Sequence, residues 1–353
     1  RPDVLVKADV VEQILRIAGV DRAPTTPLPR LDEGVPKPVL TLLQKRTRLA
    51  KRALASLSLR EAVTWSFVSK AAADLFGGGA PSLALANPIA ADLSDMRPSL
   101  VPGLVAAAER NARRALSDVA LFEVGQVFLG PGENDQRVAA AAVRRGRTKA
   151  EGEGRHWSGA AFVDVFDAKR DAIALLTALG ANPNAVQVVP GGPGFLHPGR
   201  SATLKFGPKT VVGWFGQLHP SACETLDAEG PIVAFEITLD AVPPPKTKPT
   251  RAKPKLDRSD FMAVERDLAF VVDETVSAGD LVKAAESAER SLVANVGVFD
   301  VYQGEGLPEG AKSIAISVAL QPRERTLTDA EIDAVMSRIV AEVSRKTGAT
   351  LRG

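Results

Sequence analysis

Asn87-Pro-Ile-Ala-Ala-Asp-Leu-Ser-Asp-Met-Arg-Pro-Ser-Leu-Val-Pro-Gly-Leu104 holds three prolines, Pro88, Pro98 and Pro102, and opens on an Asn-Pro step. Each proline fixes its own φ and biases the residue before it away from the α region, so most of the stretch is predicted to be a specified loop. Directly after it, Leu104 to Leu116 reads as a helix and Val119 to Leu129 as a strand. A long ordered loop feeding a helix and a central strand is costly in entropy unless it lines a site or an interface.

Outward from this loop, the pattern gives the fold class. Upstream, Thr41 to Leu57 is an amphipathic helix with an apolar stripe of Leu42, Leu43, Leu49, Ala50, Ala53, Leu54 and Leu57. Lys45, Arg46, Arg48, Lys51 and Arg52 populate the rest of that helix, either as a solvated face or as a contact for RNA or a partner. Ala62 to Val68 alternates, with Val63, Trp65 and Phe67 on one side, and is predicted to be a half-buried strand. Gly77-Gly78-Gly79 is a turn; without a following Lys-Ser or Lys-Thr it is no phosphate loop. Downstream, strands are predicted at 137–143, 161–166, 185–189, 201–206, 211–217 and 232–239, with a helix from Asp167 to Leu179 that is capped by an acid and stopped at Gly180. Strands outnumber helices and short turns join several of them, so the class is α+β, a mostly antiparallel sheet flanked by helices.

The totals fit an ordinary globular chain of two to three domains: 353 residues, 45% hydrophobic and 24% charged. A net charge of +2 gives no global field for nucleic acid, so any basic surface is local. One cysteine, Cys223, leaves no internal disulfide and fits a reducing, cytoplasmic setting. No apolar run reaches membrane-spanning length. The chain opens on Arg1-Pro2-Asp3, which reads as the middle of an element and therefore as the C-terminal part of something longer.

Two proline-rich stretches divide the chain. Asp21 to Pro38 has five prolines and no periodicity. Val242 to Arg258 has five more, interleaved with Lys246, Lys248, Arg251, Lys253, Lys255 and Arg258 against the single acid Asp257. Proline stiffens such a linker and like charge extends it. The expected division is residues 1–30, the end of a preceding small helical domain; 39–241, the main α+β domain; 242–258, the linker; and 259–353, a terminal domain. In the last of these a strand 266–272, a helix 277–290, strands 296–302 and 312–320, a helix 329–346 and a short strand 349–352 follow one another. That β-α-β-β-α-β order is the ferredoxin-like split unit.

Several words carry a family resemblance. Leu121-Phe122-Glu123-Val124-Gly125-Gln126-Val127-Phe128, together with the opening loop, resembles the synthetase-like domain of the β subunit of bacterial phenylalanyl-tRNA synthetase. Ala263-Val264-Glu265-Arg266-Asp267-Leu268-Ala269-Phe270, Phe299-Asp300-Val301-Tyr302-Gln303-Gly304 and Arg325-Thr326-Leu327-Thr328-Asp329 resemble the anticodon-binding domain of that subunit. The resemblance implies a class II synthetase-like antiparallel core that is catalytically silent, followed by a ferredoxin-like anticodon-binding domain. It implies a cytoplasmic α2β2 assembly in which a separate α subunit binds ATP and activates phenylalanine, and in which this chain holds tRNA(Phe). It also implies a magnesium site at the first helix, at the positions of Asp3, Asp9, Glu12 and Gln13. Gln13 supplies a neutral amide oxygen where the family pattern has a carboxylate, and hard cations favour anionic oxygens. From the residues alone, Asp9 and Glu12 have the spacing of a capping box on a helix whose apolar side is Val10, Val11, Ile14, Leu15, Ile17 and Ala18.

No catalytic residue is assigned. Class II synthetases hold ATP with an arginine two residues before a glutamate, and here Leu121 stands in that place before Glu123; His197-Pro198-Gly199-Arg200-Ser201 matches the second ATP arginine only in part. His156, His197 and His219 have no clustered third ligand for zinc, and Cys223 near His219 lacks an orienting acid. The tRNA contacts are predicted from period-two alternation in the terminal sheet. Asp300 and Tyr302 share one face, Phe299 and Val301 the other, and Ile314, Ile316 and Val318 are expected in the core. The open face then offers an aromatic ring and small neighbours to a splayed base. Asp300, Tyr302 and Ser313 are the predicted base contacts, with Arg323 and Arg325 as phosphate contacts; Tyr302 simply covering the sheet is the plainer reading. The alternative functions are a stand-alone RNA-binding protein and, on His197 and His219, a metallohydrolase.

Overall fold

The computed structural model describes residues 2–27, 39–148, 161–244 and 258–352. The basic charges of the linker from Lys246 to Lys255 and His156 lie outside the described residues. Two compact units are present, Arg1–Pro249 and Thr250–Gly353.

The first unit contains α1 (Lys7–Ala18), α2 (Leu42–Ser56), β1 (Arg60–Glu61), β2 (Phe67–Val68), α3 (Lys70–Leu75), β3 (Asp95–Met96), α4 (Val101–Ala112), β4 (Val119–Phe128), β5 (Gln136–Arg145), α5 (Val165–Ala178), β6 (Val186–Pro190), β7 (Leu196–Phe206), β8 (Thr210–Leu218), α6 (Pro220–Thr225) and β9 (Ile232–Thr238). Its main sheet has seven strands in the order β1-β4-β5-β9-β8-β7-β6. All pairs are antiparallel except β1 with β4. Period two decides which side each strand residue serves. Phe122, Val124, Ala140 and Ala142 pack with Ala50 and Leu54 of α2 and Ala172, Leu175 and Leu176 of α5. Leu121, Val127, Ala139 and Ala141 pack on the other side with Leu104, Val105 and Ala108 of α4. The sheet is therefore the middle of three layers.

α4 starts at Val101, earlier than the predicted Leu104, and ends at Ala112. Pro102 sits in its first turn, where the missing N–H has no helical partner to lose. The predicted strand 62–68 does not form as one piece. Thr64 is drawn inward, its hydroxyl 2.7 Å from Glu123 Oε2, and the alternation inverts, leaving Val63 and Trp65 exposed. The predicted strand 161–166 gives way to the start of α5. Asp164, not Asp167, is the cap: its carboxylate accepts from the amides of Phe166 (2.8 Å) and Asp167 (3.2 Å), and Asp167 returns the bond to the Asp164 amide.

α2 is capped by Thr41 and Gln44 as a reciprocal pair. Its face is not wholly as predicted. Ala50 and Leu54 are fully buried in this chain's own core, while Leu42 and Leu49 remain exposed. Arg46 is not on a solvated basic face: it is buried, and its guanidinium donates to the carbonyls of Leu239 (3.2 Å), Val242 (2.7 Å) and Pro243 (2.6 Å), which fixes the path of the chain after β9. Leu49→Asp is expected to leave the domain's stability within about 0.5 kcal/mol of the native chain, because the residue covers no core. Urea unfolding checks this, and a large loss would show that Leu49 is structural.

The second unit contains β10 (Val264–Asp273), α7 (Ala278–Ala288), β11 (Val293–Tyr302), β12 (Ala311–Leu320), α8 (Asp329–Thr347) and β13 (Thr350–Leu351). Its sheet order, β11-β12-β10-β13, is antiparallel throughout and is the ferredoxin-like arrangement. Ile314, Ile316, Val318 and Phe270 turn to the side covered by Leu281 of α7 and Ile332, Val335 and Ile339 of α8. The other side of the sheet is left without helices. Ser277 caps α7, Thr328 caps α8, and α8 ends on Gly348 in the left-handed conformation at φ 71°, which glycine adopts without a Cβ penalty.

Candidate nucleic-acid interface and a buried charged row in the main sheet

The helix-free face of the terminal sheet follows from strand pairing. Tyr302 lies opposite Ser313, Asp300 opposite Ala315 and Gly297 opposite Ser317, while Val298 and Val301 lie opposite the core residues Ile316 and Ile314. A register shift between Val298 and Asp300 takes up Phe299, and Asp300 and Tyr302 stay together on the open side. Ala269 and Asp267 of β10 continue the same rows. The result is a floor of small side chains edged by Asp300 and Tyr302, both exposed. The Tyr302 hydroxyl donates to the Glu305 carbonyl at 3.1 Å, and a Cβ at Gly304 would come within 2.9 Å of that hydroxyl oxygen. The bare Gly304 thus lets the turn close against the ring and hold it in place.

Ser313 does not share that exposure. At 4% it is sealed between the larger neighbours Tyr302 and Val271 across the two flanking strands, so it supports the floor without offering a surface contact. Arg323 and Arg325 follow the far end of β12. From Ser313 to Leu320 along that strand is roughly 23 Å, so the segment bearing the two arginines leaves the sheet at the end of β12 away from Tyr302. Arg325 binds both carboxylate oxygens of Glu331, which also accepts from the Thr328 amide (2.9 Å) and hydroxyl (2.9 Å). Its guanidinium, then those Thr328 bonds, hold the Glu331 carboxyl down at about 2. Arg325 therefore fastens the entrance of α8, and only its exposed edge is available to a phosphate.

The opening loop does line something. Across the main sheet, Glu123, Ala141, Glu236 and Trp214 form one row on four adjacent strands. Arg97 reaches over it from the loop, fully buried, with Nη1 2.8 Å from Glu123 Oε1. The same guanidinium donates to the Gln126 carbonyl (2.9 Å), the Thr64 hydroxyl (3.1 Å) and the Trp65 carbonyl (3.3 Å). Gly125 makes room for it: a Cβ there would lie 2.8 Å from Arg97 Nη2. Glu236 Oε2 accepts from the Ser99 hydroxyl (2.9 Å) and the Leu100 amide (2.8 Å). Burial pushes the Glu236 carboxyl up to about 7; the bonds from Leu100 and Ser99 and the charge of Arg97 resist this, and Glu123 adds to it. Arg97 and Glu236 were missed by sequence reading. The signal for Arg97 was a lone arginine inside an apolar, proline-bound loop; Glu236 had none.

Leu121, at the position where the resemblance leads one to look for an ATP-binding arginine, is packed into the core beneath α4. Arg200 is exposed and donates to the Gln217 side chain at 3.0 Å. His197 and His219 approach, with ring centroids 6.4 Å apart. Each turns Nδ1 to a local bond, His197 accepting from the Gly199 amide (3.2 Å) and His219 facing the Ser221 hydroxyl (2.6 Å) as the N-cap of α6. Cys223 is buried, and burial pushes its thiol up, away from nucleophilic use. Among the described residues no three His, Cys, Asp or Glu side chains form a group that could hold a metal ion.

That includes the first helix. The cap of α1 is Val6, and Asp9, one turn inside, spends Oδ2 on the amides of Leu5 (2.8 Å) and Val6 (2.9 Å); those bonds hold its carboxyl below the usual range. Glu12 pairs instead with Arg16 at 3.0 Å. As arranged here, with Asp9 held by backbone amides and Glu12 by Arg16, Asp3, Asp9, Glu12 and Gln13 do not supply a magnesium cage.

Comparison with known proteins accords with this geometry. The family described as "Phenylalanyl tRNA synthetase beta chain CLM domain" matches residues 29–239, and "Ferredoxin-fold anticodon binding domain" matches residues 259–352. The chain is similar to the phenylalanine–tRNA ligase β subunit of Bradyrhizobium diazoefficiens, 59% identical over 352 residues, covering 100% of this chain and 44% of that protein. The β subunits of Rhodopseudomonas palustris (56%) and Mesorhizobium japonicum (55%), each aligned over 354 residues, have the same coverage. The chain thus spans 44% of the length of these curated relatives. With a synthetase-like sheet and a helix-free ferredoxin face each falling within its own matched segment, the chain belongs to the phenylalanyl-tRNA synthetase β chain family.

Proposed function

We propose that this chain serves phenylalanine–tRNA ligase as the non-catalytic part that recognises tRNA(Phe) and supports the catalytic α subunit. The observation that carries the reading is the open sheet face, where an exposed aromatic ring and a carboxylate border small side chains inside a matched anticodon-binding domain. A ring of that kind stacks on any base, and the neighbouring carboxylate can select among bases by hydrogen bonding. Activation of phenylalanine with ATP and magnesium is placed on the α subunit, in an α2β2 assembly working in the cytoplasm. Leu121 in place of an arginine supports a silent role for the first unit. No helix among the described residues is long and apolar enough to cross a membrane.

Tyr302→Ala is expected to weaken binding of a tRNA(Phe) anticodon stem-loop by about 1–3 kcal/mol, the usual value of one base–aromatic stack. Fluorescence anisotropy with labelled RNA checks it, and unchanged affinity would mean that Tyr302 only covers the sheet. Co-purification with a class II catalytic subunit from native extract tests the partner, and a stable, partner-free chain would favour a stand-alone RNA-binding protein.

A further inference from the structure

Beside the row of Glu123 and Glu236 the main domain opens into a cleft of about 350 Å³, the size of a small-molecule site. Phe76, Phe195 and Trp214 wall it, together with Pro98, Ser99 and Glu236. The Phe76 and Phe195 rings stack at 4.2 Å between centroids, and Trp214 meets Phe195 edge-on at 5.1 Å. Glu236 enters this wall with one oxygen committed: Oε2 takes both the Ser99 and Leu100 bonds, and no described residue engages Oε1.

The charges around the cleft do not balance. Arg97 is matched by Glu123 at 2.8 Å, and its remaining donors go to the Thr64 hydroxyl and backbone carbonyls. Glu236 therefore has no cation of its own, and the group carries two carboxylates against one guanidinium. Aromatic faces present negative potential as well, so the walls favour the same sign of guest as the carboxylate does. An anion would meet both, and a neutral body would leave Glu236 uncompensated. We propose that the cleft is a binding site for a small organic ammonium ion, its charge seated at Glu236 Oε1 and its flat apolar body against Phe195 and Trp214. A zwitterion would bring a carboxylate into the same negative surroundings and bind more weakly. This site is independent of the anticodon face.

The test titrates 2-phenylethylammonium into the full chain at pH 8 by calorimetry, with neutral 2-phenylethanol as the isosteric control. Saturable binding at least tenfold tighter for the ammonium is expected, with at least a tenfold loss in Glu236→Gln. The glutamine carbonyl can still accept from Ser99 and Leu100, so the local structure is kept while the charge is removed. Equal affinity for amine and alcohol, absence of saturation, or undiminished binding in Glu236→Gln would each overturn the proposal. The amine–alcohol comparison uses the native chain, so it decides even if the variant fails to fold.

Discussion

Replacing Arg97 by methionine is expected to destabilise the synthetase-like domain by about 3–5 kcal/mol, because removing one partner of a buried ion pair leaves the other charge uncompensated. Glu123 is 4% exposed in its side chain and sits in the middle of a strand, so it cannot swing out to water. Loss of the guanidinium also leaves the Gln126 and Trp65 carbonyls without this donor and loosens Thr64, which holds the inverted segment between β1 and β2. The double variant Arg97→Met, Glu123→Gln is expected to recover much of the loss, since a neutral amide can still accept from the Thr64 hydroxyl and a matched pair of neutral groups avoids the stranded charge. Urea unfolding of the native chain, both single variants and the double variant gives the coupling energy directly. A loss below about 1 kcal/mol in Arg97→Met would remove the ion pair from the account of this fold.

Glu236 is expected to make the same domain less stable as pH rises. Its carboxyl titrates at about 7 in the folded chain, against an ordinary value of 4.5. Between those two values the folded state holds a proton that the unfolded state has released, so unfolding releases a proton and stability falls with rising pH. The contribution is complete below 4.5 and gone above 7. At about 1.4 kcal/mol per pK unit, discounted because the residue is partly open to the cleft, this is roughly 2–3 kcal/mol. Glu236→Gln should therefore match the native chain near pH 4.5 and exceed its stability by that amount at pH 8. Other carboxylates shift both chains alike, so the difference between them isolates this residue. Parallel curves for the two proteins would contradict the assignment.

Much of the architecture was legible because it rests on periodicity. Strands 137–143, 211–217 and 232–239 and the whole β-α-β-β-α-β order of the terminal unit lie where alternation and caps put them. The failures share a cause, a polar side chain that outvotes the apolar pattern. Thr64 turned inward toward a buried carboxylate and put Val63 and Trp65 outside. Asp164 took the cap predicted for Asp167 and converted a strand into the first turn of α5. Arg46 left an amphipathic helix's charged side to bind three carbonyls. At the candidate site the alternation placed Asp300 and Tyr302 on one face, but local pattern carries no distances. It could not show that Ser313 would be closed over by its cross-strand neighbours, nor that Arg325 would be occupied by Glu331 at the other end of the strand. The Glu123–Glu236 row joins residues far apart in sequence and appears only when four strands are aligned.

The proposed recognition of the tRNA(Phe) anticodon by the helix-free sheet face is tested most directly by competition binding of two stem-loops altered at the first anticodon base. The two RNAs differ only in guanine or adenine at that base, and each is measured against the native chain and against Asp300→Ala. The account predicts that the native chain prefers guanine by roughly 1–3 kcal/mol, the scale of a good base-edge contact, and that Asp300→Ala binds both RNAs alike. A guanine preference that survives intact in Asp300→Ala, or no preference in the native chain, would contradict it.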